Sequence, residues 1–296
     1  MNNKKGDSIQ IAREYLDSLM VEGRIVGAVH PTAEITLFGQ KAESPIMTAA
    51  LSHLKRGMAD YAQGAKDAGT LCQIGMGDNE ELGAALATGA KIIKIIKPYA
   101  APGEIISRLR FAEEHGAVAV GMDIEHAVNV EDDADSAVAG HQMKLPTLDE
   151  LKRYISATKL PFLIKGALSV QDAVHAKELG CAGVILGHHN GLLPWAVPNV
   201  SLLPSIRKAV GDDFVLIIDG GIADGFDAFK ALALGADAVS VGRPLMPPYD
   251  EKGAEGVTEV LNAMTNQLKA MMLRTDSPDV KHIDPGVIHE ASWRRL

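Results

Sequence analysis

The sequence is short of cysteine, of aromatic residues and of positive charge, and it has no long apolar run. Two cysteines, Cys72 and Cys181, stand in 296 residues, and neither belongs to a CxxC pair. That excludes a disulfide scaffold and points to a reducing compartment. Basic residues number 29 against 38 acidic ones, a net charge of −9. Such a balance argues against a nucleic-acid partner or an anionic membrane surface, and leaves room only for a local basic pocket able to take one phosphate. The longest apolar runs, such as Phe214–Ile218, are far too short to span a bilayer. The first ten residues are polar and hold no stretch of signal-peptide length. A soluble cytoplasmic protein is therefore expected. With aromatics at 4%, its core must be built from Ala, Val, Ile and Leu.

What is present is a regular alternation. Eight short apolar or β-branched runs read as strands: Pro45–Ala50, Leu71–Gly75, Lys91–Lys97, Ala117–Ile124, Pro161–Ala167, Ala182–His189, Phe214–Gly220 and Ala238–Pro244. They are apolar throughout rather than alternating, as parallel strands covered on both faces must be. Helical patterns lie between them, for instance Ser169–Leu179 and Phe226–Leu234, and several end in Gly just before the next strand, at Gly69, Gly89, Gly116, Gly180 and Gly235. Eight β-then-α units predict an α/β fold, a single-domain (β/α)8 TIM barrel over residues 45–296. An open doubly wound sheet is the competitor, and it rarely uses eight such regular units. Residues 1–44 form an N-terminal extension, with Glu34–Phe38 as a short strand or lid at the bottom. The longest intervals follow the fourth and sixth strands. They place extra loops, 125–146 and 190–199, at the C-terminal ends of strands, where this fold builds its active sites.

The chemistry-bearing residues fall on those ends. Asp219-Gly220-Gly221 closes the seventh strand and Gly242-Arg243 the eighth, the usual phosphate site of such a barrel. Backbone N–H groups with one Arg suit a phosphate dianion; two tight turns and a surface Arg are the plain alternative. Lys165 ends the fifth strand and either points into the barrel mouth or snorkels outward. His188 and His189 follow the sixth. Adjacent strand residues face opposite ways, so the pair does not suit one metal ion, and no metal is expected. A single inward His acting as a base fits better, with two hydrogen-bonded loop histidines as the alternative. Asp123 ends the fourth strand and could orient an imidazole across the mouth, or serve as a cap or loop ion pair. Gly75-Met76-Gly77 lacks the third Gly of a dinucleotide fingerprint. Both cysteines are expected to be buried and inert.

The segments from Leu216 to Ile222 and from Phe229 to Pro244, with the Lys165-Gly166 end of the fifth strand and His189, closely resemble the FMN-dependent α-hydroxy acid oxidase and dehydrogenase family. The resemblance covers about residues 35–296. It implies an FMN-dependent oxidoreductase that oxidises a CH–OH group by His-assisted hydride transfer to the flavin. A flavin-dependent isomerase or other non-oxidative FMN enzyme of the same barrel superfamily is the alternative. In the family's pattern His189 is the base, Asp123 its orienting partner, and Lys165 the cation beside the flavin. Asp219, Gly220, Gly221, Gly242 and Arg243 hold the ribityl chain and phosphate. Gln73 and Lys94 fall at further cofactor positions, with Lys94 in the place of a Gln. The resemblance also implies a small-molecule substrate, a separate electron acceptor and a homo-oligomer. The chain departs from the family at Gly121, Ala223 and Leu192, the last two replacing arginines, and 125–146 contains no Arg. Loss of the arginines at Leu192 and in 125–146 predicts poor use of simple α-hydroxy acids such as glycolate and lactate.

Overall fold

The computed structural model describes residues 6–127, 141–188 and 191–291. Eight parallel strands close into a barrel: β1 (Ile46–Leu51), β2 (Leu71–Ile74), β3 (Lys91–Ile96), β4 (Ala119–Asp123), β5 (Phe162–Lys165), β6 (Gly183–Gly187), β7 (Val215–Asp219) and β8 (Ala238–Val241). Each pairs with its sequence neighbours, and β8 closes on β1 through Val239↔Ile46 and Val241↔Thr48. Every strand expected from the apolar runs is present, with ends within three residues of those expected. Both faces of the strands are covered. Met47, Leu71, Ile93, Ile95, Ala119, Leu163, Ile185, Ile217 and Ala238 fill the barrel interior. Their neighbours Ile46, Cys72, Ile92, Ile96, Val120, Phe162, Ile164, Val184, Leu216, Ile218 and Val239 pack against the helices. This division gives the inward and outward parity of every strand residue.

The helices are α1 (Ser8–Ser18), α2 (Met58–Asp67), α3 (Asn79–Ala87), α4 (Pro102–Glu114), α5 (Leu148–Ser156), α6 (Val170–Glu178), α7 (Asn199–Val210), α8 (Gly225–Ala233), α9 (Met246–Lys252) and α10 (Ala254–Arg274). Local chemistry starts several of them. Asp78, Ser169 and Asp224 accept from first-turn N–H groups of α3, α6 and α8, and Thr147 with Glu150 forms a capping box on α5. No helix among the described residues is long and apolar enough to cross a membrane.

The N-terminal segment serves both ends of the barrel. A hairpin of Ile35–Leu37 with Gln40–Ala42 plugs the N-terminal end, where Leu37, Phe38 and Ala42 meet the innermost strand residues. Helix α1 lies instead at the C-terminal end. Its Ser8 donates to the Leu193 carbonyl after β6, and its Arg13 donates to the Gly221 carbonyl after β7 at 3.2 Å. Arg13 also grips Asp227 of α8 with both terminal nitrogens, at 2.5 and 2.8 Å. The strand that follows α1, Leu19–Val21, pairs with Ile288–Glu290, so the two ends of the described chain are tied together.

Candidate functional site

The inward residues at the C-terminal ends of the strands define the site. Parity puts Lys97, Asp123, Lys165, Gly187 and Asp219 on the inner face, above Ile95, Gly121, Leu163, Ile185 and Ile217. Lys97 and Lys165 both place their ammonium groups on one oxygen of Asp123, Oδ2, at 3.0 and 3.2 Å. Lys165 also reaches Asp219 Oδ2 at 3.5 Å. The result is a chain of alternating charge, Lys97–Asp123–Lys165–Asp219, across the mouth. All but Asp219 are nearly closed to solvent. Burial alone would lower the Lys165 ammonium, but the Asp123 and Asp219 carboxylates outweigh it and hold the group above its ordinary value. The snorkelling alternative for Lys165 is excluded, because its side chain is buried inside the barrel.

Lys165 and Asp219 stand on strands separated by β6, and Gly187 lets them meet. A Cβ at 187 would fall 2.8 Å from Asp219 Cβ and 3.1 Å from its Oδ2, so any side chain there would displace the carboxylate. Asn199 pins the same region from α7. Its Nδ2 donates to the Leu186 carbonyl at 3.0 Å and to the Asp219 carbonyl at 2.9 Å, locking the ends of β6 and β7.

Beyond Asp219 the backbone turns through two left-handed residues, Gly220 at φ +85° and Gly221 at φ +80°. Gly220 is exposed and a Cβ there would meet nothing. Arg243 opens the short turn after β8 and is exposed, and its guanidinium makes no hydrogen bond or ion pair among the described residues. Bare glycine backbone beside an uncommitted guanidinium is a fitting cradle for a phosphate group. Deeper in, Gln73 is inward-facing and fully buried; its side-chain Nε2 donates to Met47 Sδ, and its Oε1 has no partner among the described residues. A buried amide with an unmet acceptor can bond a polar ring edge. The residues present therefore fit a phosphorylated, planar cofactor with a polar ring edge.

One expectation is corrected and one lies outside the described residues. Lys94 does not face the mouth. It shares the outward side of β3 with Ile92 and Ile96, and its ammonium donates to the Gly75 carbonyl at 2.5 Å. Burial, with repulsion from Arg108 and Lys97, pulls it down to about 8 against the pull of Glu81 and Asp78. The register gives the inward place to Lys97, which the sequence reading passed over. The signal was available: Ile93, Ile95 and Lys97 are one period-2 series. The strand expected at Glu34–Phe38 is present at the bottom of the barrel, as Ile35–Leu37, while α1 of the same N-terminal segment reaches the loops at the other end. His189, with 128–140 of the expected loop insertion, lies outside the described residues. His188 turns away, its Nε2 donating to the Val197 carbonyl at 3.1 Å. Cys72 and Cys181 are buried, and burial pushes both thiols up to about 12, so neither is a nucleophile at neutral pH.

An open cleft of about 440 Å³ lies elsewhere, between the first turns of α3 and α4, lined by Asp78, Asn79, Glu80, Glu104, Ser107 and Arg108. It sits outside the barrel and includes none of the inward groups, so the mouth and not this cleft is the candidate site.

Comparison with known proteins agrees with this geometry. The model of a family described as FMN-dependent dehydrogenase matches residues 125–290. The chain is similar to an L-lactate oxidase of Alicycliphilus denitrificans, with 42% identity over 134 residues, 45% of this chain and 37% of that protein. It is similar to a 4-hydroxymandelate oxidase of Amycolatopsis orientalis, with 29% identity over 278 residues, 81% of this chain and 78% of that protein. Against the lactate oxidase, as against a 2-hydroxyacid oxidase of Dictyostelium discoideum, the match spans 37% of the relative's length. Among solved structures, a mandelate oxidase carrying a monooxide FMN adduct superposes with a TM-score of 0.85 and 26% identity, covering 97% of this chain and 92% of that one. A mandelate oxidase with benzoyl-formic acid gives 0.86 and 25%, covering 97% and 90%.

Proposed function

Because the chain belongs to the FMN-dependent dehydrogenase family, we propose that it is an FMN-dependent oxidoreductase acting on the CH–OH group of a small hydroxy acid or related substrate. The observation that carries the reading is the charge array Asp123–Lys165–Asp219, its first two members buried, beside the Gly220-Gly221 turn and the uncommitted Arg243 guanidinium. Asp219, Gly220, Gly221, Gly242 and Arg243 would hold the ribityl chain and phosphate, and Gln73 a polar edge of the ring. When bound, FMN supplies the acceptor for the hydride equivalent.

His189, two residues beyond β6, takes the proton from the substrate hydroxyl as general base. Asp123 orients that imidazole and stabilises its charged form, as the third group of a catalytic triad does. Lys165 places a fixed positive charge at the mouth, where its burial makes it effective against developing negative charge. Lys94 is outside this set. The same reading carries a cytoplasmic, self-associating enzyme with a separate electron acceptor.

The test is anaerobic. Purified, FMN-reconstituted protein is mixed with glycolate, L-lactate, mandelate and their neutral amides, and bleaching of the visible flavin band is followed. Bleaching by at least one hydroxy compound is expected, with a loss of about 10²–10⁴ in rate for His189→Asn. A reconstituted protein that binds no flavin, or binds it and is bleached by none of these, overturns the reading.

A further inference from the structure

We propose that Arg13 of helix α1 is a positioning residue for the cofactor phosphate. It fixes the Gly220-Gly221 turn and neutralises the carboxylate behind it, without touching the phosphate itself. The proposal rests on the reading of that turn as part of an FMN site.

The turn has little of its own to hold it. Gly220 and Gly221 both lie in the left-handed region, at φ +85° and +80°, and glycine loses more backbone freedom on ordering than any other residue. The N–H groups of Gly220, Gly221 and Ile222 donate to no protein group among the described residues. The donors that a phosphate would use therefore do nothing to fix the backbone that carries them. Arg13 does this from outside. Its Nη1 donates to the Gly221 carbonyl at 3.2 Å. A trans peptide unit holds its C=O and N–H in opposite directions, so this bond aims the Ile222 N–H away from α1. One residue on, the Ala223 N–H donates to Asp227 Oδ2 at 3.0 Å, and the Arg13 fork grips Asp227 at 2.5 and 2.8 Å. One guanidinium thus holds the turn twice, directly at Gly221 and through Asp227 at Ala223. Helix α1 also backs the turn: a Cβ on Gly221 would fall 3.5 Å from Leu16 Cδ1 and 3.9 Å from Ala12 Cβ.

Arg13 is not itself a phosphate ligand. A guanidinium has five N–H donors, and all are engaged: Nε and Nη2 on Asp17, Nη1 and Nη2 on Asp227, and Nη1 on Gly221. Its second effect is electrostatic. Asp227 is only 4% exposed and stands one hydrogen bond from the turn, so its bare charge would oppose a phosphate dianion in the cradle. Arg13 cancels that charge. Lys230, on the same helix α8, donates to the Leu16 carbonyl at 2.8 Å and makes no ion pair with Asp227 among the described residues. Asp224 caps α8, accepting from the Phe226 and Asp227 N–H groups.

The test titrates the full chain with FMN and with riboflavin, which carries the same ring and ribityl chain and no phosphate, and follows quenching of flavin fluorescence. Arg13→Met should weaken FMN by about tenfold or more, the scale of one misaimed charge-assisted hydrogen bond, and leave riboflavin affinity as in wild type. A general loosening of the fold would weaken both flavins together. Asp17→Asn removes only the exposed partner of Arg13 and should leave both affinities unchanged. Arg13→Gln carries the same expectation should the Met variant fail to fold. A folded Met or Gln variant with wild-type FMN affinity, or with FMN and riboflavin weakened in equal ratio, overturns the proposal. So does an Asp17→Asn variant that loses FMN as Arg13→Met does, or a wild type that holds riboflavin as tightly as FMN. In each of these cases the chain still binds flavin and the reading of its function stands. A wild type that binds neither flavin overturns both.

Discussion

Replacing Lys165 by Met removes the central cation of the array and keeps the volume of the side chain. Breaking a buried ion pair from one side costs about 3–5 kcal/mol, because the abandoned charge stays buried. Two features of the structure set the value here. Asp123 keeps Lys97 at 3.0 Å, and the Asp219 side chain is 16% exposed and partly screened. The loss should therefore fall at the lower end, about 3 kcal/mol. Its pH dependence follows from the sign of the shifts. In wild type Lys165 is raised above its unfolded value, so its contribution is complete below about pH 10 and is lost only as pH rises through the raised value. Between about pH 5 and 8 this group adds no slope. In the variant two carboxylates face each other without the bridge, and the folded state binds a proton that the unfolded chain, titrating near 3.9, does not. Stability then falls as pH rises, and the deficit against wild type is small near pH 5 and full near pH 8. Urea unfolding of the apoprotein at several pH values measures it, and Lys165→Met/Asp219→Asn should recover part of the loss at the higher pH. A deficit under about 1 kcal/mol, or one that does not change with pH, would refute the ion-pair reasoning.

Arg13→Met should cost about 1–2 kcal/mol in urea unfolding, less than a buried pair because the guanidinium is 32% exposed although Asp227 is only 5% exposed; an equal loss in Asp17→Asn, the exposed partner, would mean that the buried contact is not what matters. Lys94→Met should raise stability near pH 7 by at most about 3 kcal/mol. The sign follows from its fall to about 8: in wild type the unfolded chain holds the proton longer, so stability climbs between about pH 8 and 10.4, and that climb should vanish in the variant. Arg243→Ala should weaken FMN by about 1.5–3 kcal/mol, the scale of a charge-assisted bond, read by quenching of flavin fluorescence; unchanged affinity would move the phosphate away from the β7 and β8 loops.

Much of the site was legible because strand ends are marked twice, by apolar runs and by the polar residue that stops them. Asp123, Lys165 and Asp219 each follow a buried run, and each points inward at the mouth. Where reading relied on aligning residue types across strand β3, it slipped. Lys94 stood at a Gln position by similarity, yet the alternation Ile93, Ile95, Lys97 turns it outward. A slip of one residue exchanges the faces of a strand, and lysines stand on both sides here, Lys94 outward within β3 and Lys97 inward one residue past its end, so composition gives no warning.

Sequence alone determined the eight-fold alternation, the covering of both strand faces and the clustering of polar groups at C-terminal strand ends, since these follow from local periodicity and from the need to bury apolar side chains. Tertiary structure decided which groups meet. Asp123 and Lys165 are 42 residues apart, and Lys165 reaches Asp219 only because β6 offers Gly187 between them. Arg13 meets Asp227 across 214 residues, bringing α1 to the end of the barrel opposite its hairpin. Such pairings depend on strand register and ring closure, which no local pattern encodes. Charges that read separately as a snorkelling lysine, a cap and a turn acid join Lys97 in one array of alternating sign when the barrel closes.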